Sequence, residues 1–216
     1  MRGKFITFEG TEGAGKSTQI RLLAERLRGL GNEVVLVREP GGTPAGERIR
    51  DVLKDPRLAG QLSPEAELLL VSASRTELVR QVIRPSLEEG KVVLCDRYID
   101  STFAYQGYGR ELDQKPMADI VAYSIDGIRP DITLLLDIPL NTSLSRRAER
   151  EKGGGKESVT DRFEQSGDLF FTRVEKGFRA LAEREPDRIH LVDGVGDPED
   201  VSDRIWQVLE GVLERV

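Results

Sequence analysis

Three groups of residues have types and spacings suited to phosphate chemistry. The first, Gly10-Thr-Glu-Gly-Ala-Gly15-Lys16-Ser17, fits G-x-x-x-x-G-K-[ST] at every position and separates a short apolar run from an amphipathic one. Gly10, Gly13 and Gly15 let the backbone turn its N–H groups inward around phosphate oxygens, with Glu12, Ala14 and Thr18 completing the loop. Lys16 is expected to reach the β- and γ-phosphates of a nucleoside triphosphate and the Ser17 hydroxyl to ligate Mg²⁺, while the helix starting there adds the positive end of its dipole. The second group is Asp96-Arg97, opening the segment DRYIDSTFAYQGYGR. A guanidinium there can grip a phosphate monoester through paired bonds, and an ionised Asp96 suits Mg²⁺-bound water or holding Arg97 in place. The third is RRAEREKGGGK, where Arg146 and Arg150 stand four residues apart on one helix face, ahead of three glycines that could let a lid close. The first group identifies a bound triphosphate without deciding between hydrolysis and transfer. The chain carries no N/T-K-x-D segment, which argues against a GTPase.

These groups need a scaffold that brings them together. Lys4–Glu9, Glu33–Arg38, Lys91–Asp96, Ile132–Asp137 and Arg188–Val192 read as strands, and their near-continuous hydrophobicity suits a parallel sheet covered on both faces. Ser17–Leu30, Thr43–Leu53, Glu65–Glu89, Lys115–Tyr123, Leu140–Glu151, Asp168–Arg184 and Pro198–Arg215 read as helices. The alternation predicts an α/β fold with a five-stranded parallel sheet, helices on both faces and right-handed crossovers. Ligands gather at the carboxyl ends of such strands, where Glu9, Arg38 with Glu39, Asp96 with Arg97, and Asp137 fall.

Composition narrows the class. A chain of 216 residues suits a single domain, 1–216, with a lid over about 145–165. Charged residues at 32% and hydrophobic ones at 38% are ordinary for a globular protein, and the net charge of −6 argues against nucleic acid or an anionic membrane as partner. One cysteine, Cys95, rules out an intrachain disulfide framework and is expected to be buried and inert. No signal peptide is evident and no run approaches the roughly 18 apolar residues of a membrane span, so a cytoplasmic protein is expected. His190 reads as an ordinary strand residue.

The segments FEG-x-x-G-x-GKST, REPGGT (Arg38–Thr43) and DRY-x-x-ST-x-AYQG, in this order and followed by PDITLLLD and DRFE, resemble thymidylate kinase over nearly the whole chain. The resemblance implies a P-loop nucleoside monophosphate kinase-like fold, a homodimer, and ATP-dependent phosphorylation of dTMP to dTDP with Mg²⁺. It implies that Arg97 clamps the acceptor phosphate and that Glu12 accepts a hydrogen bond from the sugar 3′-OH. Arg75 would bond a thymine carbonyl oxygen and Thr102 would address the base edge. Tyr105 would lie under the sugar and disfavour a 2′-OH, with Gln106 and Phe163 extending that wall. Glu39, Pro40 and Ser101 would belong to the same acceptor pocket, and Glu164 would reach metal-bound waters.

Two departures stand out. The residue four before Arg75, usually a phenylalanine that stacks on thymine, is Val71, which implies weaker stacking or compensation by a neighbour. Some family members place an arginine inside the phosphate loop where this chain has Gly13, so Arg150, then Arg146 at the ATP end, become candidates for the missing charge. Two other readings stay open: a kinase for another pyrimidine nucleotide or nucleoside, and a slow ATPase acting as a regulator. The regulator would leave Arg75, Arg97, Thr102 and Tyr105 idle.

Overall fold

The computed structural model describes residues 2–139, 141–143, 145–146, 162–163 and 166–213. Arg150, Glu164 and most of the expected lid and of the helix expected over Leu140–Glu151 lie outside those residues.

Five parallel strands form one sheet in the order β2-β3-β1-β4-β5. They are β1 (Phe5–Glu9), β2 (Val34–Arg38), β3 (Val92–Asp96), β4 (Ile132–Asp137) and β5 (Ile189–Asp193). β1 is wholly buried, β3 and β4 are buried up to their final aspartates, and β2 and β5 are only partly covered, as edge strands should be. In the register Phe8 stands beside Asp96, Glu9 beside Leu135 and Arg38 beside Asp96, so the polar strand ends meet at one edge. One face packs Ile6, Phe8, Leu94 and Leu134 against α1 (Lys16–Gly29) and the C-terminal helix, through Leu23, Leu27, Ile205 and Leu209. On the other face Phe5, Val93 and Cys95 meet Leu68, Leu78, Ile83 and Val121.

The connecting helices start where local chemistry permits. Thr43 and Ser63 cap α2 (Pro44–Lys54) and α3 (Pro64–Leu78) by accepting from the N–H of Gly46 and Ala66, and each helix has proline at its first position. The single helix expected over Glu65–Glu89 is divided instead: α3 passes into a π-helical turn, Val79–Ile83, before α4 (Arg84–Glu88). Pro85 supplies the reason, since its ring lacks an N–H and crowds the carbonyl four residues earlier, which a widened turn relieves. The segment after Arg97, given no element in the sequence reading, forms α5 (Ile99–Thr102) and continues as a π-helix over Phe103–Gly109. Its wide turn closes with Arg110 N–H donating to the Tyr105 carbonyl at 2.9 Å. Further α-helices among the described residues are α6 (Gln114–Ile125), α7 (Asp168–Arg184) and α8 (Pro198–Leu213), and a 3-10 turn covers Pro56–Leu58. Residues 141–143 and 145–146 are also helical. Among the described residues no helix is long and apolar enough to cross a membrane.

Candidate active site

The phosphate loop runs from the end of β1 to the start of α1. Gly10 sits at φ 133° with the β4 backbone so close that a Cβ would come 2.5 Å from the Leu136 carbonyl oxygen. No other residue fits there. Gly13 (φ 81°) plays the same part on the outer side, where a Cβ would meet the Ser143 carbonyl oxygen at 3.1 Å. The Ser143 hydroxyl donates to the Glu12 carbonyl at 2.5 Å and Arg146 Nη1 donates to the Gly13 carbonyl at 3.0 Å. The helical residues after β4 therefore clasp the loop, and they place the Arg146 guanidinium beside the position that lacks a side chain. Lys16 is buried and donates through Nζ to the carbonyls of Gly10 and Thr11 at 3.0 and 2.9 Å. Burial and the nearby Arg97 guanidinium push the Lys16 ammonium down to about 8. Ser17, exposed, donates to Asp96 Oδ2 at 3.1 Å, and Thr18 N–H closes the first turn onto Gly15.

Glu9, the last residue of β1, organises the facing segment. Its Oε1 accepts from the N–H groups of Tyr98 and Ser101 at 2.8 and 3.0 Å, and its Oε2 from the Ser101 hydroxyl at 2.6 Å. Burial, then the Asp100 carboxylate, pushes Glu9 up to about 7, although Arg97 pulls the other way. Arg97 is held at φ 69°, a left-handed conformation unusual for any residue but glycine. Three bonds over-determine it: its N–H to the Phe8 carbonyl, and the two amide bonds to Glu9 that follow. The strained turn aims the guanidinium across the site, with Nη1 3.0 Å from Ser101 Oγ and its carbon 5.0 Å from the centre of the Tyr105 ring. Burial pushes the Tyr105 phenol up to about 12, so the ring stays neutral beside that cation.

A cleft opens next to the loop. It is lined by Glu12, Glu39, Pro40, Arg50, Lys54, Val71, Arg75, Arg97, Tyr98, Ser101, Thr102, Tyr105, Gln106 and Phe163, around about 660 Å³ of space continuous with solvent. At its floor Arg75 and Glu39 form a buried ion pair, 2.7 Å from Nη2 to Oε2. Arg75 also donates to Thr102 Oγ1 at 2.8 Å and to the Tyr98 carbonyl at 3.2 Å. Burial pushes the Glu39 carboxyl up and the guanidinium pulls against it. Arg75 Nη1 and Glu39 Oε1 are buried without a hydrogen-bond partner among the described residues, so the floor holds one donor and one acceptor that remain unsatisfied. Val71 lies one turn before Arg75 on the same face of α3, and the Tyr105 ring meets Phe163 edge-on at 6.0 Å.

All eleven residues expected in the acceptor pocket line this one cleft, and Glu12 joins it to the phosphate loop. Arg150 and Glu164 lie outside the described residues. Four participants went unnoticed in the sequence. Arg50 and Lys54 are spaced four apart on α2, a pattern that marks a shared face without saying what it faces. Tyr98 is an apolar wall whose hydroxyl donates to the Ile128 carbonyl. Glu9 was legible only as a strand end. Among the described residues no cluster of three or more His, Cys, Asp or Glu could by itself cage a metal ion. The arrangement as a whole can hold a triphosphate on the loop and bring a second, phosphate-bearing molecule against it.

Comparison with known proteins agrees with that chemistry. The family model for thymidylate kinase matches residues 8–205. A thymidylate kinase of Desulfovibrio desulfuricans is 47% identical over 211 residues, covering 98% of this chain and 97% of its own length. One from Pseudomonas fluorescens is 47% identical over 215 residues, covering 100% and 99%. The crystal structure of thymidylate kinase from Ehrlichia chaffeensis superposes with a TM-score of 0.75 at 37% identity, covering 97% of this chain and 99% of that one.

Proposed function

The chain belongs to the thymidylate kinase family, and from that membership we propose how its residues divide the work of phosphoryl transfer. The enzyme moves the γ-phosphoryl group of ATP onto dTMP, giving dTDP and ADP. Transfer of this kind needs in-line positioning and neutralised charge more than covalent chemistry. Gly10, Glu12, Gly13, Ala14, Gly15, Lys16, Ser17 and Thr18 form the ATP side, with loop amides and Lys16 on the phosphates. The acceptor dTMP occupies the adjoining cleft. Arg97 grips its phosphate, Glu12 receives the sugar 3′-OH, and Tyr105, Gln106 and Phe163 pack along the sugar. Arg75, steadied by Glu39 and Thr102, meets the base, with Val71 on its face and Pro40 and Ser101 completing the wall. The acceptor phosphate is already anionic near neutral pH, so no side chain has to act as general base.

The residues present fit Mg²⁺. The Ser17 hydroxyl and the Asp96 carboxylate are hard oxygen donors 3.1 Å apart at the loop exit, and Mg²⁺ characteristically takes few protein ligands alongside phosphate and water. Ser17 would hold the ion directly and Asp96 through water, with Glu164 a further candidate. Bound there, Mg²⁺ neutralises charge on the phosphate oxygens. Arg150 and Arg146 supply the remaining charge from the lid, and the bond from Arg146 to the Gly13 carbonyl supports a place for it at the loop rim.

The whole chain works as one domain with its lid over about 145–165. It acts as a homodimer through α3 and α6, which pack together and leave Leu69 56% and Tyr123 86% exposed. Its site is the cytoplasm, where Cys95, buried with its thiol pushed up by that burial, stays reduced and inert. The observation carrying this reading is the convergence of Arg97, Arg75 and Tyr105 in a cleft that touches Glu12 of the phosphate loop. Purified protein with ATP and Mg²⁺, offered dTMP, dUMP, dCMP and thymidine in turn, tests it. Fast ADP release with dTMP alone is expected, and ADP release indifferent to the acceptor would sink it.

A further inference from the structure

One buried carboxylate near the cleft has no part in the chemistry above. Glu67 lies on the same face of α3 as Val71 and Arg75, each four residues from the next, and its side chain is 0% exposed. Val71 and Arg75 line the cleft, whereas Glu67 does not; it passes beneath the wall. There its Oε1 accepts from Gln106 Nε2 at 2.6 Å. Its Oε2 accepts from Arg162 Nη1 at 2.7 Å and from Arg110 Nη2 at 3.1 Å.

Each partner leads back to the cleft. Gln106 lines it directly. Arg162 precedes Phe163 and is fastened at both ends: its N–H donates to the Lys54 carbonyl at 3.2 Å and its Nε to the Leu53 carbonyl at 2.9 Å. Its guanidinium stacks 4.6 Å from the Phe163 ring. Arg110 lies 4.3 Å from the ring of Phe170, which in turn meets Tyr105 edge-on at 5.9 Å. A single carboxylate on α3 thus joins the end of the π-helix at Phe103–Gly109 to the 162–163 segment and, through Arg162, to the end of α2.

We propose that Glu67 is a positioning residue for the acceptor: it touches no substrate and fixes the wall formed by Tyr105, Gln106 and Phe163 through Gln106, Arg110 and Arg162. Its charge is essential to that role, because two guanidinium groups converge on it and, among the described residues, it is the one carboxylate that balances them. Its chemistry also orients Gln106. A carboxylate only accepts, so the amide must turn its NH₂ toward Glu67, whereas a glutamine there would accept either end. The proposal rests on the reading of this cleft as the dTMP site.

Steady-state kinetics and thermal unfolding of Glu67→Gln, Arg162→Met and the double variant test it, with each substrate varied at saturating levels of the other. Expected for Glu67→Gln is a KM for dTMP raised about tenfold, with KM for ATP and kcat each within about threefold of the wild type. Arg162→Met shows the same split, and should the glutamine protein fail to fold, it decides the question alone. The double variant costs little beyond the larger single change, since both act through one linkage. Lower melting temperatures with KM for dTMP unchanged would make Glu67 a structural ion-pair partner only and overturn the proposal. Equal rises in both KM values would overturn it too. A wild-type enzyme without dTMP-dependent turnover would refute the reading of the cleft first, and the proposal with it.

Discussion

Replacing Arg75 by methionine keeps the length of the side chain and removes the cation on which the floor of the acceptor cleft is built. The pair it breaks is buried on both sides, 1% and 3% exposed, with Nη2 and Nε of Arg75 2.7 and 2.8 Å from Glu39 Oε2. Breaking one half of a buried pair costs about 3–5 kcal/mol, because the remaining charge is left buried without its partner. Thr102 Oγ1 and the Tyr98 carbonyl also lose a donor, at about 1 kcal/mol each. Glu39 can offset part of this by taking up a proton, since burial already pushes its carboxyl up. A net loss of about 4 kcal/mol follows, or roughly 10 °C in Tm for a domain of this size.

Sign and coupling make the argument testable. Without the guanidinium, the folded Glu39 pKa rises further above its unfolded value, so the folded form binds the extra proton and loses stability as pH rises. The deficit of Arg75→Met is therefore larger at pH 8 than at pH 5. Glu39→Gln/Arg75→Met, with no charge left to bury, should be more stable than Arg75→Met alone. Guanidinium chloride unfolding of the wild type, both single variants and the double variant at the two pH values closes the cycle. A loss below about 1 kcal/mol for Arg75→Met, or a double variant no better than it, would show that the pair is not buried as described.

Three further outcomes are expected. Val71→Phe restores an aromatic face over the base and tightens dTMP by about 1 kcal/mol, roughly fivefold in Kd by calorimetry; an unchanged Kd would refute the stacking argument. In the free enzyme Lys16 titrates at about 8, so kcat/KM for ATP should fall as pH rises past that value, and ATP binding above it should take up a proton. A flat profile to pH 9.5 would contradict that. For the lid, Arg150→Ala, and failing that Arg146→Ala, should lower kcat by about 10³–10⁵ with the fold intact; near-normal turnover in both would remove the arginines from the transition state.

The sheet was legible because its three central strands are buried on both faces and leave nearly unbroken apolar runs such as KVVLCD and ITLLLD. Their order was not, since β2 and β5 reach the edges through crossovers that no local pattern encodes. The long α3 pattern held as far as Leu78, and Pro85 marked a disturbance whose π-helical form depends on packing. At the site, the resemblance to thymidylate kinase named the acceptor candidates, which motif spacing alone would not have assembled. It could not show that Glu9 would tie down the backbone at Tyr98 and Ser101, 89 and 92 residues away. Nor could it pair Glu39 with Arg75, because a buried ion pair between residues 36 apart looks, in sequence, like two ordinary charges. Arg50 and Lys54 were overlooked for a related reason. Long cationic side chains on an amphipathic helix read as a solvated face until a cleft is found beside them.

In the proposed function, the phosphate loop and the cleft beside it are two halves of one transfer site. Incubating the purified enzyme with ATP labelled at the γ-phosphate, Mg²⁺ and dTMP, and separating the products, tests this most directly. Label should appear in dTDP, in amounts matching the ADP formed, and that transfer should be lost when Arg97 is replaced by methionine. Label released as inorganic phosphate at a rate independent of dTMP would contradict it.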